Sequence, residues 1–207
     1  MIVVHHLNNS RSQRILWLLE ELGVDYEIKF YQRDATTNLA PPELKSVHPL
    51  GKSPVISDGA HTIAESGAIV DYLIRKYGKG KLMPTPGSID HELYLEWLHY
   101  AEGSAMLPLM LSLYTSRLGD AAAPLHPRIN DEIANHLGYI NQALEGREYL
   151  VGTEISGADI LLGFVGEAGR AFGRLEPFPA IAAWVARLQA RPAYKAALAK
   201  GGVYAYA

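Results

Sequence analysis

Cysteine is absent from all 207 residues. That excludes protein thiol nucleophiles, disulfides and cysteine metal sites, and it fits a reducing compartment. Sulfur chemistry, if any, must use a sulfur that a ligand brings. A basic surplus is lacking too: 19 Lys and Arg stand against 22 Asp and Glu, a formal net charge of −3. Nucleic-acid binding would call for a basic patch, so that class is set aside. No apolar run reaches the ~18 residues of a membrane span. The start Met1-Ile2-Val3-Val4-His5-His6 lacks the charged lead and long apolar core of a signal peptide. A cytoplasmic location is the expectation, with neither membrane nor nucleic acid as partner. No G-x-G-x-x-G follows the first strand, so a dinucleotide site is unsupported. His5 and His6 are adjacent on a strand and point to opposite faces, so no metal site is expected.

The most informative stretch present is Gly51-Lys52-Ser53-Pro54-Val55-Ile56, with Glu65-Ser66 ahead of an apolar helical run. A proline is tolerated only at a strand's first residue or edge, and it pushes Ser53 to an extended conformation. Ser53 could then pair its N–H and C=O with an extended peptide. Asp58-Gly59 is a hairpin signal, and His61 to Ala64 reads as the return strand. Ser66 opens a helix through Ile69, Val70, Leu73 and Ile74, whose N-terminus suits a carboxylate. Glu65 supplies a negative charge for an amine. Amine and carboxylate on one carbon describe an amino-acid head group, so the site suits a short peptide with a free α-amino-acid end.

Along the chain, Ile2 to Leu7 reads as a buried strand. Ser10-Arg11-Ser12-Gln13 matches a capping box with Ser10 as N-cap, and Gly23 closes the helix that follows. Tyr26, Ile28 and Phe30 alternate with Glu27 and Lys29, a second strand, and Pro42 to Val47 gives a short helix. The first 80 residues thus read β-α-β-α-β-β-α. Residues 81–87 form a linker, and 88–207 read as helix throughout. Ser88 caps a helix running to about Leu118, bent near Gly103 or Pro108. Ile129, Ile133, Leu137, Ile140 and Leu144 mark one helical face. Ser156 and Asp159 form a structural capping box, stapled by Ile155 and Ile160. Gly169 and Gly173 suggest close helix packing, and Glu20-Glu21 reads as a solvated or dimer-facing pair.

Together these features resemble the cytosolic glutathione transferases, in particular serine-type bacterial and fungal members. The resemblance covers essentially the whole chain. Its strongest parts are residues 51–56, Glu65-Ser66, the Ser156/Asp159 box and the segment from Ser10 to Leu22. It implies a thioredoxin-like α/β N-terminal domain (1–80), an all-α C-terminal bundle (88–207), a cis Pro54, a homodimer and glutathione as cosubstrate. By the same resemblance Ser53 pairs with the cysteinyl part of glutathione, Glu65 and Ser66 hold its γ-glutamyl end, and Lys52 approaches its glycyl carboxylate. Tyrosine is missing at the end of the first strand, cysteine is missing throughout, and His48 stands where many members have asparagine. The serine-type pattern then aligns Ser10 and Arg14. Ser10 is the candidate thiol activator; Asn9, Ser12 and the Arg11 backbone N–H are rival donors, and Ser10 as a plain helix cap is the structural alternative.

Activation alone is a modest gain. A free thiol of pKa ~8.5 is roughly 3% ionised at pH 7. A hydroxyl and a helix N-terminus lowering it by ~2 units raise that to roughly 75%. Nucleophilicity falls as pKa falls, so the net gain is only about 3- to 4-fold. Holding sulfur beside an electrophile must contribute more. Met106, Leu107, Met110, Leu111, Tyr114 and Phe164, with Tyr204 and Tyr206 behind, are the candidates for a hydrophobic substrate pocket, or for ordinary helix core. The expected activity is conjugation of the glutathione thiolate to small hydrophobic electrophiles. A glutathione-dependent peroxidase or disulfide reductase, and a non-catalytic ligand-binding or regulatory protein, are the alternatives.

Overall fold

The computed structural model describes residues 1–207. The chain runs β1 (Ile2–Leu7), α1 (Gln13–Leu22), β2 (Tyr26–Tyr31), a 3-10 turn (Pro42–Ser46), β3 (Val55–Asp58), β4 (His61–Ala64) and α2 (Ser66–Tyr77). Helices follow: α3 (Ile89–Tyr100), a π turn (Ala101–Ala105), α4 (Met106–Thr115), a 3-10 stretch (Ser116–Leu125), α5 (His126–Leu144), α6 (Gly157–Ala171), α7 (Pro179–Ala190) and α8 (Pro192–Gly201). This is a thioredoxin-like α/β arrangement followed by an all-α bundle. By contact the chain divides into two units, Met1–Met83 with Leu188–Ala207, and Pro84–Arg187. Composition placed the whole of 88–207 in the helical part; the C-terminal segment instead packs with the first unit.

In the first unit the sheet order is β2-β1-β3-β4. β1 runs parallel to β2, because α1 carries the chain back across one face, and antiparallel to β3. β3 and β4 form the hairpin that Asp58-Gly59 announced, with Gly59 at φ 61°. β1 is central and largely buried, while β2 is a half-exposed edge. Val4, Ile56, Ile15, Leu18, Leu19, Ile69 and Leu73 are fully buried between the sheet and α1 and α2.

Helix α1 begins at Gln13, not after Ser10. Ser12 occupies the capping position in a helical conformation with no side-chain cap. Ser10 still serves the entry turn: its Oγ accepts from the Ser12 N–H at 3.2 Å and its carbonyl from the Gln13 N–H at 3.2 Å. The expected box does not form, since the Gln13 N–H goes to the Ser10 carbonyl and not to its Oγ, and the Gln13 amide nitrogen is buried without a partner. Packing explains this. Gln13 Oε1 lies where a Cβ on Gly201 would come within 2.4 Å, so α8 holds that side chain inward.

Glu20 and Glu21 are likewise not a solvated pair. Glu21 takes a two-pronged bond from Arg191 at 2.5 and 2.9 Å and one from Trp17 Nε1 at 2.9 Å. Glu20 accepts from Lys200 at 2.5 Å and from the Tyr26 hydroxyl at 2.6 Å. The Trp17 and Tyr194 rings meet edge to face at 5.3 Å. These contacts clamp α8 to α1.

In the second unit Ser88 caps α3 as expected, accepting from the His91 N–H at 3.2 Å. The long helix is interrupted at Gly103, inside the π turn. Pro108 lacks the N–H that would reach back to Ser104, and the turn upstream widens. The α5 stripe from Ile129 to Leu144 is buried at all five positions. At the start of α6 the Ser156/Asp159 box forms, with Ile155 and Ile160 both buried. Asp159 is fully buried and accepts four bonds: from Leu150 N–H (3.0 Å), Ser156 N–H (2.9 Å), Ser156 Oγ (2.9 Å) and Trp184 Nε1 (3.1 Å). Burial pushes its carboxyl up and the four donors pull it back in part. Gly169 is tightly packed, as its spacing to Gly173 suggested: a Cβ there would stand 3.1 Å from Leu175 Cδ2.

Candidate functional site

Strand register assembles the site. His5 pairs with Val55 and Val55 pairs with Ala64, so the end of β1, the start of β3 and the end of β4 lie side by side. Neighbouring strands are about 4.8 Å apart, so the three cover roughly 10 Å. The turn Asn8 to Ser12, the segment Lys52 to Pro54 and the pair Glu65-Ser66 therefore leave the same edge of the sheet.

The Ser53–Pro54 peptide bond is cis. Ser53 Oγ donates to the His5 carbonyl at 2.8 Å, which pins the side chain against β1. Its backbone N–H and C=O have no backbone partner, so they remain open to an added extended segment. Glu65 stands at φ 69°, ψ 121°, a region that disfavours any side chain with a Cβ. A residue held there costs about 1–3 kcal/mol, and such residues cluster at ligand sites. The Glu65 carbonyl accepts from the Ile69 N–H at 2.9 Å, which places the residue at the head of α2. Ser66 opens the helix and is buried. Lys52 and Glu65 are both exposed, and neither forms an ion pair. One unneutralised cation and one unneutralised anion thus flank the open backbone of Ser53.

Ser10 and Ser12 are buried, at 5% and 0% exposure. Their hydroxyls lie 2.7 Å apart. Ser12 Oγ also lies 2.9 Å from His6 Nδ1 and accepts from the Leu7 N–H at 3.2 Å. His6 Nε2 donates to the Gly201 carbonyl at 3.1 Å. Burial lowers the His6 pKa from its usual value, and the Gly201 carbonyl partly offsets that. The rival donor Asn9 is oriented through its acceptors: Oδ1 accepts from the Ala205 N–H at 2.8 Å and its carbonyl from Arg33 Nη2 at 3.2 Å, and neither contact uses its side-chain N–H groups. Arg11 is half-buried on the same turn and Arg14 is buried on α1. His5 faces the other way, toward the Tyr31 hydroxyl (3.0 Å) and Ser57 Oγ (3.1 Å). Sequence reasoning weighed His6 only as a metal ligand. The signal it could have used is that an inward-facing histidine on a buried strand must find hydrogen-bond partners.

The pocket candidates divide within the second unit. Met106 and Phe164 are buried at 3% and 6% exposure and serve its core. Leu107, Leu111 and Tyr114 are 56%, 41% and 58% exposed, and with half-buried Met110 they form an open apolar stripe along α4. Tyr204 and Tyr206 stack obliquely at 5.4 Å in the tail of the first unit. No helix is long and apolar enough to cross a membrane.

A cis proline ahead of β3, a strained glutamate at a helix head and an all-α part after the sheet define a thioredoxin-like fold with a helical extension. Comparison with known proteins agrees. Residues 1–75 match the glutathione S-transferase N-terminal domain and residues 104–192 the C-terminal domain. Glutathione S-transferase 3 of Schizosaccharomyces pombe is 35% identical over 97% of this chain and 88% of its own length. Glutathione S-transferase 1 of Saccharomyces cerevisiae is 32% identical over 97% and 95%. The crystal structure of a glutathione S-transferase from Actinobacillus pleuropneumoniae superposes with a TM-score of 0.88, at 35% identity over 97% of this chain and 93% of that one. A sphingomonad glutathione S-transferase complexed with glutathione gives 0.80, at 25% identity over 97% and 99%. This chain belongs to the glutathione S-transferase family.

Proposed function

We propose that this protein joins the sulfur of glutathione to small apolar electrophiles by nucleophilic substitution or addition. The observation that carries the reading is the convergence of three groups at one sheet edge: the open Ser53 backbone before cis Pro54, the Glu65-Ser66 helix head, and the Ser10 turn. Ser53 pairs main chain to main chain with the cysteinyl residue. Glu65 takes the α-amine of the γ-glutamyl end, and the free N–H groups at the head of α2, beside Ser66, take its carboxylate. Lys52 takes the glycyl carboxylate. Ser10 is the hydroxyl assigned to the sulfur. The relative complexed with glutathione supports the choice of tripeptide. The exposed stripe Leu107, Met110, Leu111 and Tyr114 is assigned to the electrophile, methionine being adaptable to varied shapes. Homodimeric assembly and a cytoplasmic setting belong to the same reading.

Retention on immobilised glutathione is the direct test. The parent protein is retained and eluted by free glutathione, and Ser10→Ala is retained equally but shows a higher bound-thiol pKa in a thiolate absorbance titration. No retention of the parent refutes the proposal. An unchanged titration in Ser10→Ala removes Ser10 from its role and leaves the rest standing.

A further inference from the structure

The hydrogen bonds behind Ser10 take their direction from the carbonyl at their inner end. A carbonyl only accepts, so His6 Nε2, 3.1 Å from the Gly201 oxygen, carries a proton. In the neutral ring Nδ1 is then an acceptor. Its partner at 2.9 Å is Ser12 Oγ, so the Ser12 proton serves this nitrogen in preference to the Leu7 carbonyl, which lies farther off at 3.3 Å. Ser12 oxygen in turn accepts from the Leu7 N–H and, at 2.7 Å, from the Ser10 hydroxyl. Ser10 oxygen accepts from the Ser12 N–H and keeps one lone pair free. Its proton points inward. In that state Ser10 accepts a bond from a thiol and has none to give to a thiolate.

We propose that a thiol bound at Ser10 ionises by passing its proton inward along Ser10 and Ser12 to His6 Nδ1. The S–H bond breaks, each serine gains a proton on its outer side and yields its own on the inner side, and an N–H bond forms at Nδ1. The products are a thiolate and an imidazolium, and no proton reaches solvent. Every bond in the chain has then reversed: Nδ1–H donates to Ser12, Ser12 to Ser10, and Ser10 to the sulfur anion. The identity of the thiol rests on the glutathione reading above. His6 and Ser12 are positioning residues that act through Ser10.

The surroundings suit this chain. His6, Ser12 and Ser10 are 2%, 0% and 5% exposed, so little water competes for the inner bonds. The ring meets Phe30 of β2 edge-on at 5.7 Å and the α8 backbone through Gly201. The charged groups on those elements are Arg14, Glu20 and Glu21 on α1, Glu27 and Lys29 on β2, and Lys195 and Lys200 on α8. Burial lowers the proton affinity of His6, and the Gly201 carbonyl partly offsets that. Burial keeps the ring neutral in the free protein; the thiolate supplies the counter-charge that makes the cation acceptable.

Nitrogen-15 NMR of the His6 ring tests the direction of the chain. The ligand-free protein shows the neutral Nε2–H tautomer, and glutathione, but not S-methylglutathione, converts the ring to the doubly protonated form. An Nδ1–H tautomer in the free protein, or a ring that stays neutral while thiolate absorbance appears, overturns the relay. Calorimetry in two buffers of different ionisation heat counts protons: relative to S-methylglutathione, glutathione binding releases none. Release of one proton per thiolate overturns the relay and leaves the glutathione reading intact. Absence of glutathione binding overturns both. Ser12→Ala and His6→Gln keep retention on immobilised glutathione while the thiolate fraction at pH 6.5 falls about tenfold, equivalent to about one pKa unit. An unchanged fraction in folded Ser12→Ala also overturns the relay.

Discussion

Asp159 accepts four hydrogen bonds inside the helical unit, and removing its carboxylate is a sharp test of that packing. Asp159→Ala orphans the Leu150 N–H, the Ser156 N–H and the Trp184 indole N–H, all of which now end on that side chain. A buried donor left without a partner costs about 1–3 kcal/mol. Three such groups give about 3–9 kcal/mol, less what is regained by no longer burying a carboxylate, whose pKa is pushed up for that reason. Water reaching the small cavity lowers the figure further, so the expected loss is about 3–4 kcal/mol. Domains are stable by about 5–15 kcal/mol, so the loss is a large share. For a chain of this size it lowers the melting temperature by roughly 6–16 °C. Asp159→Asn keeps one oxygen but sets an amide against donors, and should lose about 2 kcal/mol. Urea unfolding followed by tryptophan fluorescence measures both. Trp184→Phe then costs less in the Asp159→Ala background than in the parent, because its partner is already gone. If Asp159→Ala stays within about 1 kcal/mol of the parent, buried donors are being satisfied in some other way and the reasoning fails.

Asp58 accepts from Lys76 at 2.7 Å, Tyr77 at 2.6 Å and Tyr72 at 2.8 Å, and these bonds hold its carboxyl well below the usual range. A depressed folded pKa means the stabilisation is full above the unfolded value of about 3.9 and fades as pH falls through the folded one. The gap in urea midpoint between parent and Asp58→Asn should therefore be widest above about pH 4 and close in stronger acid; a gap independent of pH would contradict this. Gly201→Ala places a methyl 2.4 Å from Gln13 Oε1 and 2.9 Å from Leu16 Cδ1, and Leu16 is fully buried. It should cost about 1–3 kcal/mol and speed hydrogen exchange along α8. Glu65→Gly releases the backbone from φ 69° and should raise stability by about 1 kcal/mol while weakening retention on glutathione. A variant that is both less stable and retained as before would refute the link between strain and binding.

Much of this protein is legible in its sequence. The strand pattern of Ile2 to Leu7, the Asp58-Gly59 hairpin, the α5 stripe and the Ser156/Asp159 box all appear where periodicity and turn chemistry put them. Each depends on residues within a few positions of one another, where backbone sterics and local hydrogen bonding decide. The turn into β3 at Pro54 and the helix start at Ser66 were legible for the same reason. Where local rules failed, a distant segment had intervened. The Ser10 capping box gave way because Gln13 packs beside Gly201, and the Glu20-Glu21 pair is taken by Lys200 and Arg191. The unit boundary moved with it: α8 carries helical composition, but its aromatic and charged partners lie on α1. The amino-acid order alone therefore determined most of the elements and the sheet edge at which they meet. Only the folded arrangement decided that His6, Ser12 and Ser10 form one directed chain, because its inner end is a carbonyl 195 residues away in sequence and no spacing rule reaches that far.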